Sequence, residues 1–155
     1  PVILYNSTGL GIRSDPAGDG HFGAKRLRTV NGKTVTKKHE GIDRLCVSGQ
    51  IIKAEIEGTL VLAYPYPDDK IYTGCRIWGK NWMVKMFYFI PIPALIGCKI
   101  LAGESIGIAQ DISQKYGGDM KPHIHVAVYS LNPTILLNPE NYLDTEENRL
   151  KNGGY

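Results

Sequence analysis

The chain is expected to fold as a mostly antiparallel β-sheet domain. Runs rich in Ile, Val, Leu and Tyr recur at strand length, separated by Gly, Pro and Asn. No segment keeps a helical apolar period for three turns. Gly 18, Pro 9 and Tyr 9 lean the composition towards strands and turns.

The elements follow in chain order. The first forty residues show mainly turn chemistry, in "STGLG", "SDPAGDG" and "VNGK". "QIIKAEIEGTLVLAYPYP" (50–67) alternates in places and predicts two strands bent at Gly58. "CRIWGKNWMVKMFYFIPI" (75–92) predicts a hairpin turning at "GKN". "GCKILAGESIGIAQDI" (97–112) predicts short strands punctuated by Gly103 and Gly107, and "HIHVAVY" (123–129) a further strand. "LNPENYLDTEENRLK" (137–151) predicts a short terminal helix, with Asn138 as cap and Pro139 at its first position.

At 155 residues one domain is expected, long enough for its own hydrophobic core. The net charge of +3 is too small to argue for nucleic acid. Its distribution says more: Lys25, Arg26, Arg28, Lys33, Lys37 and Lys38 follow one another with no acid between them. That run is either a solvated loop or a patch for a polyanion. The longest mainly apolar stretch, "MFYFIPIPALIG", is too short to span a membrane and is broken by Pro91 and Pro93. The start at Pro1 suggests a mature, processed chain. "NST" makes Asn6 a glycosylation sequon and favours secretion. Cys46, Cys75 and Cys98 lack metal-type spacing; they allow one disulfide plus a free thiol, or three buried thiols.

The histidines carry the chemistry. On a strand, His123 and His125 project from one face. "HEGID" sets His39 four residues before Asp43, where a loop enters a strand. Imidazole and carboxylate are both zinc donors, so the set reads either as a metal site or as packed and surface histidines. His21, in "GDGHFGAKR", reads as a surface turn residue.

"GHFGAKR", "KHEGID", "SGQIIKAEIEGTL", "AGESIG" and "PHIHV" occur in this order over roughly residues 20–143. This series resembles the LytM/lysostaphin-type zinc metallopeptidase domain. "VKMFYFIPI", "YPYP" and "NPENYL" resemble its secreted, chemotaxin-like animal branch. The resemblance implies one domain over 1–155, with a variable N-terminal segment of about 1–19 and a tail of about 144–155. It implies zinc held by His39, Asp43 and His125, with His123 beside them as a non-ligand. In the peptidases a second histidine stands nine residues before a Gly that precedes another by six. Gly97 and Gly103 keep that spacing here, and the position falls on Tyr88. A phenol with a pKa of about 10 is a poor base near neutrality. The implied function is therefore a secreted, zinc-binding, non-catalytic relative of a peptidase, a binding or signalling module for a cell-surface receptor, a glycan or bacterial wall material. A working endopeptidase for peptidoglycan cross-bridges or Gly-rich peptides is the rival, and a storage or structural protein the second. The cysteine that pairs with the equivalent of Cys46 in the chemotaxin branch has no counterpart here, so that disulfide is not expected.

Overall fold

The structure is a computed structural model and describes residues 3–152, with the Arg28 side chain outside the described part. Six strands run through the large sheet in the order β11 (Lys99–Ile100), β7 (Gly58–Ala63), β8 (Gly74–Trp78), β9 (Trp82–Phe87), β13 (His123–Ser130) and β14 (Ile135–Leu137). β5 (Ile42–Leu45) joins as a seventh, pairing with the first half of β13. A smaller sheet orders β10 (Phe89–Pro91), β12 (Ser105–Ala109) and β6 (Ile51–Lys53). Two hairpins stand apart: β1 (Ser14–Asp15) with β2 (Gly18–Asp19), and β3 (Lys25–Val30) with β4 (Lys33–Lys38). Every strand pair within the sheets is antiparallel.

The core fills the space to which both sheets contribute. Ile42, Leu60, Ile77, Val84, Met86, Ile124, Val126 and Val128 come from the large sheet, and Ile52, Phe89, Ile106 and Ala109 from the small one. Alternation fixes the consequence for function: with Ile124 and Val126 turned into the core, His123 and His125 face the other side of β13. The N-terminal segment is tied in, because Leu4 is fully buried and bridges Leu143.

The hairpin at "GKN" joins β8 to β9 as predicted. The 50–67 segment gives two strands, but they lie in different sheets, and Gly58 opens the second instead of bending one ribbon. A Cβ there would sit 2.5 Å from the Trp78 carbonyl oxygen, so glycine is required by the close approach.

Three expectations need correction. Residues 25–38 form a two-stranded ribbon, not turns alone: Asn31 and Gly32 take positive φ of 50° and 76°, which suits a two-residue hairpin turn. Its β4 side chains are all exposed, so it carries no apolar alternation to announce itself. The terminal helix divides: Asn138 caps a 3-10 turn over Pro139–Tyr142, and Thr145 caps a separate α2 (Glu146–Lys151). A one-turn helix, α1 (Ser113–Tyr116), stands where no helix was expected. The three cysteines are free, with Cys46 and Cys75 buried and Cys98 exposed. Burial pushes the Cys46 thiol up to about 12 and raises the Cys75 thiol as well.

Candidate metal centre

Sheet register assembles the site. β5 pairs with β13 so that Asp43 stands opposite His125, and β9 places Phe87 on the other side of His125. Directly opposed residues on antiparallel strands share a face. His39 lies just before β5, and its loop approaches β13 closely at Gly41. A Cβ on Gly41 would meet the Val126 carbonyl oxygen at 2.3 Å and His125 Cε1 at 2.9 Å.

The donor atoms close a triangle. His39 Nε2 lies 3.1 Å from His125 Nδ1 and 3.2 Å from Asp43 Oδ1, and His125 Nδ1 lies 3.1 Å from that same oxygen. Tetrahedral zinc with ligands at about 2.0–2.1 Å sets its donors about 3.3 Å apart, so the three residues fit the ion. Among the described residues this is the one His/Cys/Asp/Glu group with donors gathered closely enough for a metal.

Each donor is oriented by a neighbour. His39 Nδ1 is 3.1 Å from the His21 carbonyl oxygen, which suits a proton on Nδ1 and leaves Nε2 free to ligate. Arg13, only 2% exposed, donates from Nε and Nη2 to Asp43 Oδ2 at 3.2 and 3.1 Å, so Oδ1 is the oxygen left for the imidazoles. Arg13 Nη1 is anchored in turn on Asp15 Oδ1 at 2.8 Å. Burial would raise the Asp43 pKa, but hydrogen bonds from His125 and His39 hold its carboxyl well below the usual range.

His123 stays out of the triangle. Its Nε2 is 3.7 Å from Asp43 Oδ2, and its Nδ1 is 2.9 Å from the Lys121 carbonyl oxygen. Burial lowers its pKa and favours the neutral ring, although the Asp43 charge pulls the other way. Tyr88 packs edge-on against it, with ring centroids 5.3 Å apart. Tyr88 sits between β9 and β10 with φ of 81°, a strained value for a side-chain-bearing residue. That kink lets both Phe87 and Tyr88 line the cleft, which regular alternation would forbid. Burial pushes the Tyr88 phenol up to about 12.

The cleft over the triangle has a volume of about 580 Å³. Of the basic run, Arg26, Lys37 and Lys38 line it. Lys25 and Lys33 are not among its lining residues, and the Arg28 side chain lies outside the described part. Arg26 donates to the Asp19 carbonyl oxygen at 2.6 Å and reaches within 3.8 Å of Asp43. Glu40 and a tyrosine wall of Tyr66, Tyr88 and Tyr116 complete the rim. His21 is exposed, as its turn position suggests, and its Nδ1 lies 2.8 Å from Glu140. Asn6 lies far along the chain from these ligands, in a side-chain-stabilised turn: its Oδ1 accepts from Gly9 N–H and its Nδ2 donates to the Leu10 carbonyl oxygen, both at 3.0 Å. Arg13 and Tyr116 escaped the sequence reading, since neither belongs to a motif it singled out, and Tyr66 was seen only as part of "YPYP", with no role at the site.

No family model matches the chain. It is 32% identical to leukocyte cell-derived chemotaxin-2 of Bos taurus over 140 residues, covering 88% of this chain and 85% of the relative. The Mus musculus protein of the same name is 31% identical over 114 residues, covering 72% and 68%. Among solved structures, Helicobacter pylori Csd3 has a TM-score of 0.66 at 20% identity, over 94% of this chain but only 36% of its own. A zinc-containing peptidase from Vibrio cholerae has a TM-score of 0.54 at 20% identity, over 86% and 39%. The lysostaphin catalytic domain of Staphylococcus simulans has a TM-score of 0.53 at 20% identity, over 77% and 86%. The chain spans little more than a third of the first two of these structures. These likenesses show the LytM/lysostaphin fold, and the extended match to the bovine and mouse proteins shows that the chain belongs to the leukocyte cell-derived chemotaxin-2 family.

Proposed function

We propose that this chain is a secreted, zinc-binding module that engages a ligand in its cleft and does not efficiently cleave peptides. The observation that carries the reading is Tyr88, which stands at the place where the related peptidases need a second imidazole. Its phenol, raised to about 12, is a donor and not a base near neutrality. Loss of one oxyanion-stabilising donor typically costs about 2.7–4 kcal/mol, or two to three orders of magnitude in rate. When bound, zinc supplies a positive charge that ties the 39–43 loop to β13 and polarises a ligand oxygen. His39, Asp43 and His125 would hold it, Arg13 fixes the carboxylate, and His123 offers Nε2 as an acceptor beside the cleft.

A cell-surface receptor, a glycan or bacterial wall material fits as partner, with the basic ribbon giving polyanions a second contact. The peptidase reading draws on one feature, the intact donor triangle with His123 next to it. The deciding assay is turnover of pentaglycine and peptidoglycan by the zinc-loaded chain, with His123→Ala as control. No turnover is expected. Cleavage abolished by the control would replace the binding reading with the enzymatic one.

A further inference from the structure

The three tyrosines of the cleft wall form a hydrogen-bonded chain. The Tyr116 hydroxyl donates to the Tyr66 oxygen at 2.6 Å, and the Tyr66 and Tyr88 oxygens are 3.1 Å apart. Three phenols carry three protons, and two links consume two. One O–H is left without an acceptor among the described residues. It is not that of Tyr116, whose proton is already given to Tyr66. A hydroxyl that accepts becomes a better donor, so the head-to-tail order Tyr116, Tyr66, Tyr88 is favoured and the unspent proton falls to Tyr88. Burial holds both Tyr66 and Tyr88 in the protonated form.

The cleft lining is also cationic. Lys37 and Lys38 line the cleft, and neither forms an ion pair among the described residues. Arg26 is partly engaged, and Glu40 is the one acid of the lining beyond Asp43. Besides Arg13 and the histidines of the metal centre, the remaining lining, Leu27, Pro65, Phe87 and Met120, is apolar and gives the body of a peptide a surface to pack on.

We propose that the cleft recognises the free C-terminal carboxylate of a peptide, with the Tyr88 hydroxyl donating to one carboxylate oxygen and Lys37 and Lys38 supplying the opposing charge. This deepens the reading of the cleft as a ligand site by naming the class of ligand. Tyr66 and Tyr116 are positioning residues that set the direction of the Tyr88 donor.

The test is calorimetric titration of the full chain, zinc-loaded and zinc-free, with acetyl-triglycine as free acid and as C-terminal amide. The acid should bind about tenfold or more tightly than the amide, as expected for a hydrogen bond to a charged group. Tyr88→Phe should erase most of that ratio while the chain stays folded, with at most a small drop in melting temperature from the lost Tyr66 contact, and Lys37→Gln/Lys38→Gln should lower it independently. Zinc content, measured separately, decides the metal reading, while the ratio in the zinc-free chain reports on the protein's own groups. Equal binding of acid and amide, no binding of either, or a wild-type ratio in Tyr88→Phe would each overturn the proposal. So would binding of a glucuronate disaccharide by a chain that ignores both peptides.

Discussion

Replacing Arg13 tests how the metal centre is held. Arg13 is 2% exposed and is the charged group nearest to both Asp43 and Asp15, whose side chains are 4% and 0% exposed. Arg13→Leu keeps the aliphatic volume and removes the cation. Breaking a buried ion pair by removing one partner costs about 3–5 kcal/mol. At about 2–4 °C per kcal/mol for a chain of this size, the melting temperature should fall by roughly 6–20 °C. The effect on zinc has two opposed parts. The freed carboxylate becomes more basic, which favours the ion, but Asp43 Oδ2 loses both bonds that aim Oδ1 at the imidazoles. Loss of such an orienting partner typically lowers metal affinity about 10–100-fold, so orientation is expected to win. Competition with a chromophoric chelator measures the affinity. Arg13→Lys guards against simple misfolding: it keeps the charge without the planar fork, and should recover stability more than affinity. Zinc affinity within about twofold of wild type in either folded variant would refute this account of the site.

Zinc bound to protein should disappear in His39→Ala and Asp43→Ala by metal analysis, and full occupancy in both would sink the ligand assignment. The ligands lie 82 and 86 residues apart across the site, so the metal closes a long loop of the native chain. With free zinc a thousandfold above its dissociation constant, binding contributes about 4 kcal/mol, and chelation should lower the melting temperature by roughly 8–16 °C. Heparin should retain the wild type in a salt-dependent manner and release Lys37→Glu/Lys38→Glu at lower salt; identical elution would mean a merely solvated ribbon. A thiol reagent should modify exposed Cys98 in the native chain and reach buried Cys46 and Cys75 only on unfolding. Rapid reaction of all three would contradict the free-and-buried assignment.

Much of the centre was legible because its chemistry is local in sequence. His123 and His125 share a face of any strand, His39 and Asp43 flank a glycine at a strand entry, and counting from Gly97 reaches Tyr88. The strand assignments at 75–92 and 123–129 followed from alternation and turn residues. The parts that escaped depend on distant pairing. Arg13 stands thirty residues before Asp43, in a stretch of turn residues with no apolar period, and only the fold brings it under the carboxylate. Tyr66 and Tyr116 lie outside the strands of the sheets and meet across fifty residues. The basic ribbon had one legible mark, its Asn31-Gly32 turn, because an exposed two-stranded element needs no hydrophobic face. Nothing local separates β6 from β7 into two sheets, since either sheet would accept the same alternation.

Under the proposed reading, in which Tyr88 takes the place of a second imidazole, the fold gives a reason why the ligand triangle need not be disturbed by that residue. The triangle depends on the pairing of β5 with β13 and on the bare backbone of Gly41, which lets the His39 loop lie against β13. Neither requirement involves the residue at position 88. Tyr88 belongs to a different constraint, the kink between β9 and β10, where its N–H donates to the Thr73 carbonyl oxygen at 2.8 Å and its side chain is turned to the cleft. A histidine there would meet the same backbone demand, so the fold accepts either ring. On that reading, what changes is the chemistry offered to a ligand: an imidazole that can exchange a proton near neutrality gives way to a phenol hydrogen-bonded to Tyr66. On the proposed reading, metal binding and catalysis are therefore separable in this architecture, because different strand contacts position the triangle and residue 88.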